Sequence, residues 1–384
     1  MSVNNYLVTL KPLAPYYFGG ENSFDEDNVN YFVRSNYLPQ QTTILGFLRY
    51  ELLLQNGLLG TDPETADWKG LIGESSFQKK DGSFASGFGA IKKISPVFLS
   101  NGRQNFICQS FDWGVADHKE NGKSAKRLLP LEYSIGSNAD TVLSKYMTGV
   151  PVLKAGNDPF KQKTGIKQLW VSSDGNIARQ WDYENEFDTG RGFENGFFIS
   201  SRQIGINRKV KRSRNDTGDF YKIVKYDLRD DFAFAFFANI DLPKEKNFRS
   251  RVVTMGGERS VFQMTVANSM ESFERIFSSN TFNSHRNDKR KAIVLTSDAY
   301  TEDNILALCD FAITETIPFR GIQTTQQRSG DYIRIKGGAI AKTQQLLHLL
   351  KRGSIFFCKD LSGLKKAIHN ETFQTVGYNY FIEL

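Results

Sequence analysis

Apolar residues in the C-terminal part of the chain recur in two different periods, and these predict six elements in sequence. Thr301 followed by Glu302 and Asp303 is typical of a helix start, because a hydroxyl cap and acidic residues suit the positive end of the helix dipole. A second helix is predicted at residues 361–369. Four short apolar runs have the length of strands: 292–296, 332–336, 354–358 and 377–383. The order β-α-β-β-α-β is typical of a ferredoxin-like unit.

The N-terminal part predicts the same order of elements. Residues 6–10 alternate as a strand. Thr42 or Thr43 caps a helix whose apolar residues recur every three or four positions and which ends before Gly57. Three further stretches complete the unit: a hairpin that supplies two central strands around 202–221, the continuation of its second strand at 231–240, and a last strand at 261–266.

Residues 59–194 interrupt this N-terminal unit. They are rich in Gly, Lys and aromatic residues, and we interpret them as an insertion of loops and short strands. The predicted fold class is α+β, with two tandem ferredoxin-like (RRM-like) domains. The first covers residues 1–268 and carries the insertion, and the second covers residues 269–384.

The hairpin at 202–214 has six basic residues in thirteen and no acidic one, interleaved with apolar residues. Turn residues follow at 215–218, before another aromatic strand. A basic hairpin within a folded domain is suited to contact a phosphate backbone. Taken alone, the pattern fits a solvated hairpin that contacts nothing equally well.

Composition and charge narrow the class of protein. The 384 residues are 40% hydrophobic and 13% aromatic, which indicates a globular chain, and the net charge of +7 favours an anionic partner. The three cysteines are far apart in sequence, so they predict neither a disulfide framework nor a zinc site. No signal peptide and no membrane-spanning stretch is evident. We therefore expect a soluble cytoplasmic protein without cofactor or metal.

Four segments resemble one family, the third subunit of the type III-B CRISPR (Cmr) effector complex, in the RAMP superfamily. They are a strand running into a Phe-Gly turn at 7–20, a proline-led loop entering a helix at 37–49, R-Q-I-G-I with a later G-D-F-Y at 202–221, and M-G-G-E-R-S at 255–260. R-G-S-I-F-F at 352–357 and V-G-Y-N at 376–379 also fit the family's ending. Ala and Ile after Gly337 and Gly338 depart from it, and residues 59–194 match no motif of the family.

The resemblance implies a non-catalytic subunit that holds the 5′ tag of a CRISPR RNA. It would bridge the large polymerase-like subunit to the repeated backbone RAMP subunits. Glycines would let backbone N–H groups approach phosphate closely, and a helix N-terminus suits an anion. The RNA-binding residues so implied are Arg34, Gln40, Gln41, Thr42, Arg49, Arg202, Arg208, Lys209, Lys211, Arg212, Arg214, Gly256, Gly257, Arg259 and Ser260.

Two alternatives stay open: the equivalent subunit of a type III-A (Csm) complex, and a metal-independent RAMP endoribonuclease that processes guide RNA. Against catalysis, none of the four histidines lies in the loop and helix at 37–49, where a general base is expected. Gly256-Gly257-Glu258 is similar to a nucleotidyl-cyclase turn, but Arg259 stands where a second acidic residue is needed to bind metal. Residues 256–257 could equally form a plain turn, and residues 40–42 a simple loop and cap.

Overall fold

The structure, a computed structural model, describes residues 4–19, 32–61, 66–73, 77, 79–80, 83–84, 87–120, 123–134, 150–153, 169–179, 197–207, 219–229, 231–283, 291–319, 322–324, 340–342, 346–358 and 360–384. The main sheet comprises β1 (Asn4–Pro12), β5 (Ile91–Ile94), β6 (Phe98–Ser100), β7 (Asn105–Cys108), β11 (Leu169–Ser172), β12 (Ile177–Arg179), β15 (Ala233–Ile240), β16 (Arg251–Thr254) and β17 (Val261–Asn268).

Smaller sheets surround the main sheet. The hairpin sheet comprises β2 (Phe32–Arg34), β13 (Phe198–Asn207) and β14 (Asp219–Leu228). The C-terminal sheet comprises β18 (Ala292–Leu295), β19 (Phe311–Ile313), β24 (Ile355–Phe357) and β25 (Phe381–Glu383). The remaining strands are β8 (Trp113–Glu120) with β9 (Lys123–Ser134) and β10 (Val150–Leu153), β3 (Lys79–Lys80) with β4 (Ser83–Phe84), β20 (Thr316–Phe319) with β23 (Leu347–Leu350), and β21 (Ile322–Thr324) with β22 (Ile340–Lys342).

The helices in the described ranges are short apart from the first. They are α1 (Gln41–Gln55), α2 (Trp68–Ile72), α3 (Phe273–Ile276), α4 (Ser279–Asn283), α5 (Leu361–Ile368) and α6 (Glu371–Thr375), with one 3₁₀ turn at Ile305–Leu308. None of these helices is long and apolar enough to cross a membrane.

Strand β15 is buried on both faces and holds the two halves of the chain together. Phe234 and Phe236 point into the larger core with β1 and α1, whereas Ala235 and Phe237 point into a second core to which the C-terminal sheet contributes. This explains the unbroken apolar run at 232–238, because a strand covered on both faces does not alternate. β15 pairs antiparallel with β1, which in turn pairs antiparallel with β17.

The hairpin is present, but its predicted place in the fold is wrong. β13 and β14 pair antiparallel over ten residues, from Phe198 opposite Leu228 to Asn207 opposite Asp219. They form a separate sheet with β2 and supply no central strands of the main sheet. β5 and β6 pair with β15 instead. The predicted turn at 215–218 and the predicted strand at 332–336 lie outside the described residues.

Residues 59–194 contribute directly to the main sheet. β6, β7, β11 and β12 follow β15 in the strand order, and β5 pairs with the same strand. Ile107 and Val171 are buried in the second core. Five described strands of this segment are therefore built into the main sheet, whereas β3, β4, β8, β9 and β10 form two smaller sheets. The proposed boundaries at 268 and 269 stay a prediction.

Local sequence signals predicted one helix end correctly and two helix starts incorrectly. α1 begins at Gln41, with Gln40 as its N-cap, so Thr42 and Thr43 lie inside the helix. Gly57 follows its C-cap with a φ of 67°, as the predicted helix end requires. The helix predicted after Thr301 is only the 3₁₀ turn at Ile305–Leu308, capped without a side-chain hydrogen bond.

A buried amide joins the N-terminal and C-terminal parts of the chain. The Gln41 Nε2 donates to the carbonyl oxygens of Ser95 and Val376, each at 2.9 Å, and Gln41 Oε1 accepts from the Val97 N–H at 3.3 Å. We call Gln41 with these three backbone partners the joint. Gly377, the next residue, has a φ of 91°, and a Cβ there would overlap the Gln41 amide.

A buried ion pair fixes the C-terminal part close to this joint. Arg352 donates from Nε and Nη2 to the Asp298 carboxylate at 3.2 and 3.0 Å, and both residues are buried. The Asn379 N–H donates to the Asp298 carbonyl oxygen at 3.0 Å. The neighbouring Gly353 carbonyl accepts from the Phe111 N–H at 2.8 Å. This bond links the C-terminal part of the chain to the segment at 59–194. Breaking a buried pair of this kind costs about 3–5 kcal/mol.

Replacing Gly377 with Ala should destabilise the protein through the joint. The Cβ would overlap the Gln41 amide and lie 2.7 Å from the Ser95 oxygen, on a backbone conformation that L-residues avoid. We expect the free energy of unfolding to fall by about 2 kcal/mol or more, measured by urea denaturation. The matched control is Gly46→Ala in α1, whose Cβ has no neighbour within 4 Å and which should gain about 1 kcal/mol. Equal midpoints for Gly377→Ala and wild type would contradict a structural role for the joint.

Candidate nucleic-acid interface

The hairpin sheet aligns predicted RNA contacts on one face. Residues paired directly across strands point to the same side of a sheet. Val224 of β14 lies between Arg34 of β2 and Arg202 of β13. Both arginines are exposed, so the structure brings these two predicted residues together on the same side.

The next row on that face pairs Phe32 with Lys222 and Lys222 with Ile204. Phe32 is 46% exposed and Ile204 is 72% exposed. Further along β14, the residues on this face are Val224, Tyr226 and Leu228, and all three are buried in the larger core. The hairpin sheet thus leaves the core at Val224, and the same face opens to solvent at Lys222.

A tight turn at residues 255–260, the glycine turn, joins β16 to β17. The Ser260 N–H donates to the Gly257 carbonyl at 3.2 Å, and the two residues between them, Glu258 and Arg259, have φ angles of 55° and 50°. Two successive left-handed residues define a type I′ hairpin turn, which normally carries Asn or Gly. Charged residues there cost about 1–2 kcal/mol each. Strain of this kind clusters at functional sites.

Residues 16–18 connect the glycine turn to the hairpin sheet. On one side, the Tyr17 N–H donates to Ser260 Oγ and the Gly257 N–H donates to the Tyr17 carbonyl, both at 2.9 Å. On the other side, Tyr16 exchanges two backbone hydrogen bonds with Tyr226 of β14, at 2.6 and 3.1 Å. The structure therefore places the two predicted RNA-binding segments on either side of the same three residues.

The side chains in this region are tightly packed. A Cβ on Gly256 would lie 2.6 Å from the Tyr17 carbonyl oxygen, so the close approach of the turn requires glycine. Burial and, to a smaller extent, the nearby Glu258 carboxylate raise the pKa of Tyr17. Ser260 is buried and its hydroxyl donates to the Gly257 carbonyl at 2.9 Å. The Ser260 hydroxyl thus holds the turn in place, while Arg259 is exposed at its tip.

The Gln40-Gln41-Thr42 segment lies at the joint, which changes the interpretation of Gln41. Gln41 is fully buried and bonded within the protein, so its side chain has no surface to offer RNA, contrary to the prediction. Gln40 Oε1 accepts from the Tyr378 hydroxyl at 3.2 Å, and that hydroxyl accepts from the Thr42 N–H at 3.4 Å. RNA contact by Gln40 and Thr42 stays a prediction.

Arg49 lies on α1 in an apolar setting. Its guanidinium carbon is 5.5 Å from the centroid of the Phe88 ring, and burial lowers its pKa to about 10. In the described part of the chain, its Nε and Nη2 atoms have no hydrogen-bond partner. The remaining predicted basic contacts, Arg208, Lys209, Lys211, Arg212 and Arg214, lie outside the described residues.

Sequence reasoning missed Phe32, Lys222 and the role of Tyr17. Phe32-Val33-Arg34 is too short to stand out as a strand, and its partner strand lies almost two hundred residues away in sequence, at Lys222–Val224. Val33, Ile223 and Tyr17 pack together as a small buried cluster on the opposite face of the hairpin sheet. That packing turns Phe32 and Arg34 outward.

The chain is similar to subunits of solved type III CRISPR complexes. Two cryo-EM structures of the Type III-B Cmr-beta, one bound to cognate target RNA and AMPPnP and the other to cognate target RNA, contain similar chains, with 14% and 12% identity and TM-scores of 0.44 and 0.45. Each match covers 98% of this chain and 95% or 96% of the other. A chain of the crystal structure of a Csm3-Csm4 subcomplex of the type III-A interference complex has 10% identity and a TM-score of 0.34, covering 92% and 93%.

No curated protein sequence matches the chain. One protein family does, over nearly its whole length. The family model described as CRISPR-associated protein (Cas_Cmr3) matches residues 8–382. The chain therefore belongs to the Cas_Cmr3 family of CRISPR-associated proteins.

Proposed function

We propose that this type III CRISPR effector subunit binds guide RNA without performing chemistry on it, and that it holds the 5′ tag. The observation that carries the proposal is the junction at residues 16–18, where the hairpin sheet and the glycine turn share one stretch of backbone. Arg34, Arg202 and Arg259 are exposed around this junction, and cations in such an array neutralise successive phosphates. The turn glycines serve the packing of the turn, because the Gly257 N–H donates to the Tyr17 carbonyl and Cβ atoms on both glycines would overlap Tyr17.

We infer further that both halves are elaborations of ferredoxin-like units. The C-terminal sheet has the order β19-β24-β18-β25, which is the order of such a unit with its first helix reduced to a 3₁₀ turn. In the main sheet, β17, β1, β15 and β6 are neighbours in the corresponding order. There, the loop at 241–250 stands where a second helix would be expected.

The partners of this subunit would be the large polymerase-like subunit and the backbone RAMP subunits of a type III-B complex. Support comes from the family, whose name refers to the Cmr type of complex. The equivalent place in a type III-A (Csm) complex is the alternative. Identification of the proteins that copurify with the chain discriminates the two.

A non-catalytic role fits the placement of the described histidines. His348 lies on β23 and His369 ends α5, and both are exposed on elements other than the hairpin sheet and the glycine turn. Among the described residues, no group of three His, Cys, Asp or Glu side chains could hold a metal ion. Neither observation tests catalysis, so a direct assay is needed.

Incubating the purified chain with repeat RNA tests the absence of catalysis. We expect intact RNA after prolonged incubation, with and without divalent cations, on denaturing gels. Site-specific cleavage that disappears on substitution of one histidine would support the endoribonuclease alternative instead. Because contaminating nucleases cleave too, the four single histidine variants must be purified in parallel.

Reversing Arg208, Lys209, Lys211 and Arg212 to Glu should weaken guide binding and flatten its salt dependence. Each lost phosphate contact on a single strand reduces the slope of log K against log salt by about 0.7. We expect at least a tenfold loss of affinity at moderate salt, measured by fluorescence anisotropy across a salt series. The control reverses four lysines of the C-terminal half: Lys291, Lys351, Lys365 and Lys366. Similar losses in both variants would indicate nonspecific charge attraction.

The strained turn allows stability and binding to be separated. Glu258→Gly and Arg259→Gly should each relieve about 1 kcal/mol of left-handed strain and raise the melting temperature. If Arg259 contacts phosphate, only Arg259→Gly should also weaken RNA binding, by about fivefold. Equal RNA affinity in the two variants would remove Arg259 from the interface.

A further inference from the structure

Phe32 is an exposed aromatic residue at the free edge of the hairpin sheet. β2 is the last strand in the order β13-β14-β2, and its only strand partner within the described residues is β14. Phe32 is 46% exposed. Lys222 lies directly opposite, with its Nζ 5.3 Å from the ring centroid. The Lys222 ammonium thus lies over one face of the ring, and the residue still offers much of its surface to solvent.

The surroundings of Phe32 are unusual for a solitary surface residue. Ile204, on the other side of Lys222, is 72% exposed, and Arg34 follows Phe32 on the same face at the next outward position. Burial of Val33 against Tyr17 on the opposite face fixes the outward direction of Phe32. A cation–π contact at an exposed site contributes only about 0.5–1 kcal/mol, so that contact alone gives a weak reason for leaving an aromatic ring in water.

A nucleotide fits this arrangement through both its base and its phosphate. The base has a π-face that stacks on an aromatic ring, and the phosphate pairs with a cation close to that ring. Lys222 supplies a cation from the neighbouring strand and Arg34 a second one two residues along β2, and both lie on the face that bears the candidate RNA contacts. Stacking accepts any base, because all four present a π-face.

We propose that Phe32 is a stacking platform for one unpaired base of a bound RNA strand, with Lys222 and Arg34 contacting the adjacent phosphates. The proposal rests on the proposed RNA-binding function and adds a subsite to it. This subsite stacks a base without reading its edge. The stacking contribution of Phe32 is therefore insensitive to salt and to base identity, whereas the phosphate contacts of Lys222 and Arg34 depend on salt.

Phe32→Leu is the main test, because leucine keeps the apolar bulk and removes the π-face. We expect affinity for single-stranded RNA to fall about 5- to 100-fold, with the salt slope unchanged, in anisotropy titrations of the full chain. Phe32→Trp should retain wild-type affinity or exceed it. Arg34→Ala should instead lower the salt slope by about 0.7. The matched control is Tyr50→Leu, since Tyr50 is an exposed aromatic residue of α1 outside the hairpin sheet.

A second readout reports stacking directly. RNA oligonucleotides carrying 2-aminopurine at successive positions should show quenched fluorescence at one position with the wild-type chain and with Phe32→Trp, but not with Phe32→Leu. Unchanged affinity and unchanged quenching in Phe32→Leu would overturn the stacking proposal while leaving RNA binding intact. A wild-type chain that binds no RNA would overturn the proposed function itself. Loss of copurifying protein subunits in Phe32→Leu, with RNA affinity retained, would make this edge a protein interface and also overturn the proposal.

Discussion

The buried Gln41 amide is the interaction on which the arrangement of the two halves depends. Its three hydrogen bonds reach the backbone of two segments that lie far apart in the chain, one at Ser95 and Val97 and the other at Val376. A buried amide that loses such partners costs about 1–3 kcal/mol for each group left unsatisfied. The joint therefore holds α1, the start of the segment at 95–100 and the C-terminal Gly377 loop in one fixed relation. Strand β15, with a core on each face, completes that relation by packing.

Much of the local structure could be predicted from the sequence, because it depends on neighbours in the chain. The apolar period of α1, its end before Gly57, the strand at β1 and the pairing of β13 with β14 are all confirmed. The place of the hairpin was wrong, because strand order depends on pairing between distant residues such as Leu99 and Phe234. The helix predicted after Thr301 rested on capping and dipole signals, and these are too weak to outweigh tertiary packing.

In the candidate site, too, individual residues could be predicted from the sequence but their spatial arrangement could not. Arg34 and Arg202 were predicted separately, and only the parallel pairing of β2 with β14 places them on one face. Gln41 has the polarity expected of an RNA contact, yet a partner 335 residues away uses its amide. A polar side chain at a helix start has the same sequence signal whether it faces solvent or a distant carbonyl. Burial, which decides between the two, is not a local property.

The shared backbone at residues 16–18 has a consequence for how a strand of RNA can be accommodated. Hydrogen bonds on one side fix the glycine turn and those on the other fix β14, with no intervening flexible linker. The distance between the turn and the sheet is therefore set by main-chain geometry and cannot be adjusted by side-chain rotation. An RNA strand that contacts both would have to match that distance to within the reach of the arginine side chains. By fixing the separation of the two segments, residues 16–18 would favour RNA strands of a particular backbone curvature and would not distinguish their bases.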